Sequence, residues 1–175
     1  MMPVDNTPTG PDHGAGDFRR RPQTNIAPDM TWTLPDPDRT PEFYADVPLK
    51  RLMAFLVDTA LIFVISLLAV VLTAFIGLFF FPFLFLLIGF FYRALTIARS
   101  SATWGMRLMG IEFRHANGAR FDGATAALHT GLFTIALAIP IIQIVSMGFM
   151  LLHPRGQGLP DLILDTTALN RRARR

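Results

Sequence analysis

The sequence predicts an all-α membrane protein. The parts are a transmembrane helical hairpin, a third Pro-broken hydrophobic helix, a small β-hairpin-like cytoplasmic loop and a disordered N-terminal tail. Three observations carry this. From Leu52 to Ala98 the only charged residues are Asp58 and Arg93, and Thr59 to Tyr92 has none. Of the 175 residues 51% are hydrophobic, a membrane-like composition. Basic side chains bracket the apolar runs: residues 48–175 hold twelve basic and five acidic groups, whereas residues 1–47 hold four and eight. That is the charge pattern of loops beside anionic lipid.

The elements follow in chain order. Residues 1–47 contain eight prolines and few aliphatics. Such a segment buries too little apolar surface to offset its ordering entropy, so a disordered cytoplasmic tail is expected. Met30-Thr31-Trp32-Thr33-Leu34 is its one apolar patch. No basic start followed by an apolar core opens the chain, so no cleavable signal peptide is expected. Residues 49–98 exceed a single span of about 20 residues. They suit two helices, 50–76 and 79–98, with Gly77 and Pro82 as breakers and an entirely apolar turn at Gly77–Phe81. Lys50 and Arg51 precede the first helix, and Arg93 and Arg99 end the second. The positive-inside rule then places the N-terminus and loop 99–123 in the cytoplasm.

Within that loop Met109, Ile111 and Phe113 alternate with Gly110, Glu112 and Arg114, which is a strand period. Asn117-Gly118 signals a type I′ turn, with Ala119-Arg120-Phe121 as the return strand. Asp122 stands where a helix N-cap belongs. The run 124–152 breaks at Pro140. As one continuous helix it would reach roughly 43 Å, against ~30 Å of hydrocarbon core. A single crossing puts the basic tail, residues 171–175, outside, against the positive-inside trend. A dip and return keeps it inside. The sequence leaves both open.

Asp58 is the residue that most needs a reason, since a carboxylate at membrane depth costs roughly 2.5–3.5 kcal/mol on insertion scales. It lies only about 10 Å along the helix from Arg51. It therefore reads either as a brace near the headgroups or as a group that takes up and releases a proton or cation. Asp58, Ile62, Ser66, Ala69 and Thr73 share one helix face at spacings of four, four, three and four. Such a polar and small stripe turns toward protein. Asp161 is the second carboxylate of interest, as a partner for Arg51 or as a plain N-cap. Secondary candidates are Ser66, Thr73, Arg107, Gln143 and His129, the one histidine within an apolar run. With no cysteine, thiol catalysis, disulfides and thiolate metal sites are excluded. No H-E-x-x-H spacing, nucleophile motif or phosphate loop occurs. No catalytic residue, metal or cofactor is expected, and the basic pI has no nucleic-acid fold beside it.

Three segments then resemble a known pattern. Arg51-Leu52-Met53-Ala54-Phe55-Leu56-Val57-Asp58 is similar to an R-x-x-A-x-x-x-D opening. Thr103-Trp104-Gly105-Met106-Arg107-Leu108-Met109-Gly110 is similar to a T-x-G-K-R-x-x-G segment. Gly156-Gln157-Gly158-Leu159-Pro160-Asp161-Leu162, with Thr166 following, is similar to a closing G-L-x-D-x-x-x-x-T motif. Together they resemble the RDD family of bacterial multi-pass membrane proteins over residues 48–170. Met106 replaces the family's usual lysine, Pro160 a common histidine, and Asp165 a small residue. The resemblance implies a helical domain of the bacterial cytoplasmic (inner) membrane, with Arg51, Asp58 and Asp161 as its charged trio and Thr166 beside them. The function expected is a non-enzymatic structural or interaction component whose trio ties helix ends together. The alternative is a small oligomeric transporter or ion-coupling protein using Asp58 and Asp161. Expected partners are a bilayer with anionic lipids and a homo-oligomer or membrane-protein partner, with no nucleic acid.

Overall fold

The computed structural model describes residues 34–171. The expectations for residues 1–33 and 172–175 lie outside them. Helix α1 spans Val47–Leu72 and has Pro48 in its first turn, where a missing N–H costs nothing. It stops four residues before the expected 76. The Thr73 hydroxyl bonds back to the Ala69 carbonyl (2.9 Å) and accepts the Gly77 N–H (3.1 Å). Ala74 and Phe75 then take left-handed φ values of 49° and 66°, which end the helical path. A 3-10 turn, Ile76–Leu78, leads to α2, Phe81–Ser100, with Pro82 in its first turn. The connecting turn exposes Phe75, Ile76, Leu78, Phe79 and Phe80. Outer positions such as Val64, Leu68 and Phe83 are exposed as well. Helices α1 and α2 are long and apolar enough to cross a membrane.

Helix α3 is Trp104–Leu108 and strand β1 is Ile111–His115. Helix α4 (Gly123–Ala138) is N-capped by Asp122, whose Oδ1 accepts the Thr125 N–H at 2.7 Å. Helix α5 is Pro140–Leu152, α6 is Leu159–Ile163 and β2 is Thr166–Asn170. The strand in the loop exists, but its partner is not Ala119–Phe121. It pairs antiparallel with β2, Ile111 facing Asn170 and His115 facing Thr166. Phe121 turns inward instead. Its ring stacks on Phe113 (centroids 5.3 Å) and its N–H goes to the Ser101 hydroxyl (2.9 Å). Nor is Asn117-Gly118 a type I′ turn. Gly118 has φ 76° but Asn117 is not left-handed, and its side chain accepts the Ala119 N–H in an Asx turn (2.9 Å).

Residues 34–46, expected as the last part of the tail, pack against the sheet. Leu34 and Tyr44 pack on Leu169. Tyr44 donates its hydroxyl to the Pro35 carbonyl (2.7 Å), and the Asn170 amide donates to the Glu42 and Ala45 carbonyls (2.9 Å each). Composition hid this, because two buried side chains and one asparagine suffice to hold the segment.

Pro140 splits the third apolar run. Ile139, just before it, is extended (φ −117°, ψ 97°), as the residue preceding a proline prefers. The axes of α4 and α5 bend by 118° there. Helix α4 begins beside β1, where Phe121 meets Phe113. Helix α5 leads into α6, whose Asp161 meets Arg51 in the first turns of α1. Both ends of the bent pair thus lie at the end of the molecule where α1 starts and α2 stops.

Candidate functional site

The buried stripe of α1 is Ala54, Asp58, Ile62, Ser66 and Val70. The spacing of four continues to Val70, so Ala69 drifts to the flank and Thr73 to the surface. Asp58, 3% exposed, is held by three donors. Oδ1 accepts the Tyr92 hydroxyl of α2 (2.7 Å) and the Gly105 N–H of α3 (2.8 Å), and Oδ2 accepts the Thr103 hydroxyl (2.6 Å). Thr103 is the N-cap of α3 and also accepts the Met106 N–H (3.2 Å). Asp58 therefore completes the cap of a short helix that could not stand alone. A glycine is required at 105. A Cβ there would sit 2.3 Å from the Ala54 carbonyl oxygen and 2.9 Å from Asp58 Oδ1.

Asp161 builds the second cluster, about two turns of α1 away from Asp58. It is fully buried. Arg51 forms an ion pair with its Oδ2, which also accepts the Gly158 N–H (2.9 Å), the reciprocal half of a capping box on α6. His129 Nε2 of α4 lies 2.7 Å from Oδ1. Burial by itself raises the Asp161 carboxyl pKa, but the Arg51 guanidinium and the His129 ring more than reverse this and hold it well below the usual carboxylate range. An ionised acceptor requires that Nε2 carry the proton and donate. Arg51 also donates to the Gly156 carbonyl (3.2 Å) and lies over the Phe113 ring (5.3 Å). Gly158 allows α6 to approach α5, since a Cβ would meet Ser146 Oγ at 2.9 Å, and that hydroxyl accepts the Leu159 N–H (2.9 Å).

The charged trio is therefore two fasteners. Arg51 reaches Asp161 and not Asp58. The secondary candidates scatter. His129 joins the Asp161 cluster. Ser66 bonds back to the Ile62 carbonyl (2.8 Å). Thr73 serves the distal turn. Arg107 donates to Ser100 Oγ (3.1 Å) and lies over the Trp104 ring (5.3 Å). Gln143 Oε1 and Thr166 Oγ1 are buried without a partner among the described residues. The Thr166 carbonyl accepts the Gln157 amide (2.6 Å).

Sequence reasoning missed Tyr92 and Thr130, gave Thr103 and Gly105 no role beyond their place in the family-like segment, and misread Arg93. That arginine does not end α2. It lies two turns before Ser100, 8% exposed, with its guanidinium 5.1 Å from the Phe133 centroid and 5.8 Å from that of Phe55. A Thr-x-Gly pair after a helix was the available signal for the Asp58 partners, because a threonine cap and a Cβ-free close approach are both legible as residue types. Between the two clusters lies a cavity of about 70 Å³, bordered by Asp58, Arg93, Thr103, His129 and Thr130 among others.

The RDD family profile matches residues 46–165. Comparison with curated proteins and with solved structures gave no match. The match covers more than half of the chain and contains both clusters and both long apolar helices, so the chain belongs to the RDD family and is a membrane protein.

Proposed function

We propose that this chain is a structural or interaction component of the bacterial cytoplasmic membrane, in which Asp58 and Asp161 fasten the helices and do not carry ions. One observation carries the reading: both oxygens of each carboxylate already accept hydrogen bonds from fixed protein donors. A carboxylate that takes up a proton or cation has to loosen the partners it already holds, and here those partners are the contacts that join the helices. Asp58 ties α1 to α2 and α3, and Asp161 ties α6 to α1 and α4. The direct test is proton and cation flux in proteoliposomes, wild type beside Asp58→Asn, with both first checked for folding. No flux above empty liposomes is expected. Flux in the wild type, lost in a folded Asp58→Asn protein, would make the chain a transporter and overturn this reading.

The same proposal includes topology. The bent α4–α5 pair dips into the bilayer and returns, which keeps Arg155 and Arg171 on the side of Lys50, Arg51 and Arg99. Helices of 16 and 13 residues measure roughly 24 and 20 Å, short of the ~30 Å core. The chain has no cysteine, so single cysteines report cleanly. Glu42→Cys, Arg120→Cys and Pro154→Cys are expected to react with an impermeant maleimide from the cytoplasmic side, and Phe79→Cys from the other. Labelling of Pro154→Cys on the side of Phe79→Cys would replace the dip by a crossing.

A further inference from the structure

Arg93 and Thr130 leave hydrogen-bonding capacity unused in a place where that is expensive. Both border the cavity between the two fasteners. Thr130 is 1% exposed, and its hydroxyl has no hydrogen-bond partner among the described residues. The Arg93 guanidinium is flanked by the rings of Phe55 and Phe133. Among the described residues it forms no ion pair. Every carboxylate oxygen nearby already accepts at least one hydrogen bond. Asp58 serves Tyr92, Thr103 and Gly105, and Asp161 serves Arg51, His129 and Gly158. The groups of the cavity without a partner are the five N–H bonds of Arg93, which only donate, and the Thr130 hydroxyl, which can donate or accept. The Arg93 guanidinium, which forms no ion pair among the described residues, disfavours a cation there. An oxyanion finds a planar fork that matches two of its oxygens and a hydroxyl for a third. The Asp58 charge opposes an anion, but three donors already disperse it. The volume of about 70 Å³ exceeds the ~10–15 Å³ that a single water requires.

We propose that the cavity binds a small oxyanion, a phosphate or carboxylate group, held by the Arg93 guanidinium and the Thr130 hydroxyl. The group is either the headgroup of a lipid or a soluble anion. This goes beyond the fastener reading and does not depend on it, since the ligand is held by Arg93 and Thr130 and not by the two carboxylates.

The test uses the full chain purified in detergent, with its unfolding temperature followed during titration by inorganic phosphate, acetate and dihexanoyl phosphatidic acid. Chloride at matched ionic strength is the control. The wild type is expected to show a saturable rise with at least one of the three probes. A response to phosphate or acetate identifies a soluble anion as sufficient, and a response confined to phosphatidic acid identifies the lipid source. Arg93→Gln is expected to abolish the rise. Thr130→Val is the variant that keeps the test decisive, because its hydroxyl has no protein partner to lose. It should fold as well as the wild type and need about tenfold more anion for half-saturation. No saturable response in the wild type, or an undiminished response in Thr130→Val, overturns the proposal.

Discussion

Asp161→Ala is expected to lose about 3–5 kcal/mol of stability, the usual cost of removing one partner from a buried ion pair. The loss falls on what remains. Arg51 stays in the first turns of α1 with only the Gly156 carbonyl (3.2 Å) to receive it. His129 keeps its place between Phe113 and Phe121 without an acceptor, and the Gly158 N–H is left open. The α6 segment and β2 should detach together, so limited proteolysis would cut after Leu152 in the variant and not in the wild type. The same pair predicts an acid limit. A carboxyl whose folded pKa lies below its unfolded value of about 4 contributes stability that is complete above that pH and fades as pH falls below it. Thermal unfolding in detergent should therefore drop in temperature below about pH 4, and Asp161→Ala should flatten that part of the profile.

Gly105→Ala is the second large effect. Helix propensity favours alanine over glycine by about 1 kcal/mol, and Gly105 does not have a positive φ, so local rules predict stabilisation. Sterics decide otherwise. The new methyl would sit 2.3 Å from a backbone oxygen of α1, which no rotamer change can relieve. Either α3 moves away and Asp58 loses the Gly105 N–H, or the two helices remain strained. The expected cost is at or above the upper end of the ~1–3 kcal/mol seen for overpacking. Gly148, whose added Cβ would meet nothing within 4 Å, is the control: Gly148→Ala should be neutral or stabilising.

The apolar hairpin, the break at Pro140 and the Asp122 cap were legible because each rests on local periodicity or on a residue type with one conformational use. The pairing of β1 was not. Asn117-Gly118 followed by Ala119–Phe121 satisfies the hairpin pattern, and nothing local says that a strand fifty residues later will win. The winning contacts are tertiary: Phe121 stacked on Phe113, and a strand brought back by the α5–α6 turn. The site divides the same way. Asp58 and Asp161 stood out as charges in apolar surroundings, and the Arg51–Asp161 pair was among the arrangements anticipated. The Asp58 partners Tyr92 and Thr103 are ordinary polar residues near helix ends, and only packing makes them donors. Arg93 was mistaken for a terminal charge because α2 continues seven residues beyond it, through Thr96 and Ser100, whose hydroxyls bond back to the carbonyls of Tyr92 and Thr96 (2.7 and 2.8 Å).

The most direct test of the fastener account is the unfolding temperature of Asp58→Asn and Asp58→Ala beside the wild type, in one detergent and at one pH. Asparagine can keep Oδ1 on Tyr92 and Gly105 and loses the charged contact to Thr103, so a loss of about 1 kcal/mol is expected. Alanine leaves a fixed N–H and two hydroxyls without their acceptor, a loss of about 3 kcal/mol or more. The account predicts the order wild type, Asp58→Asn, Asp58→Ala, with folded membrane yield falling in step. An Asp58→Ala protein that unfolds at the wild-type temperature would contradict it.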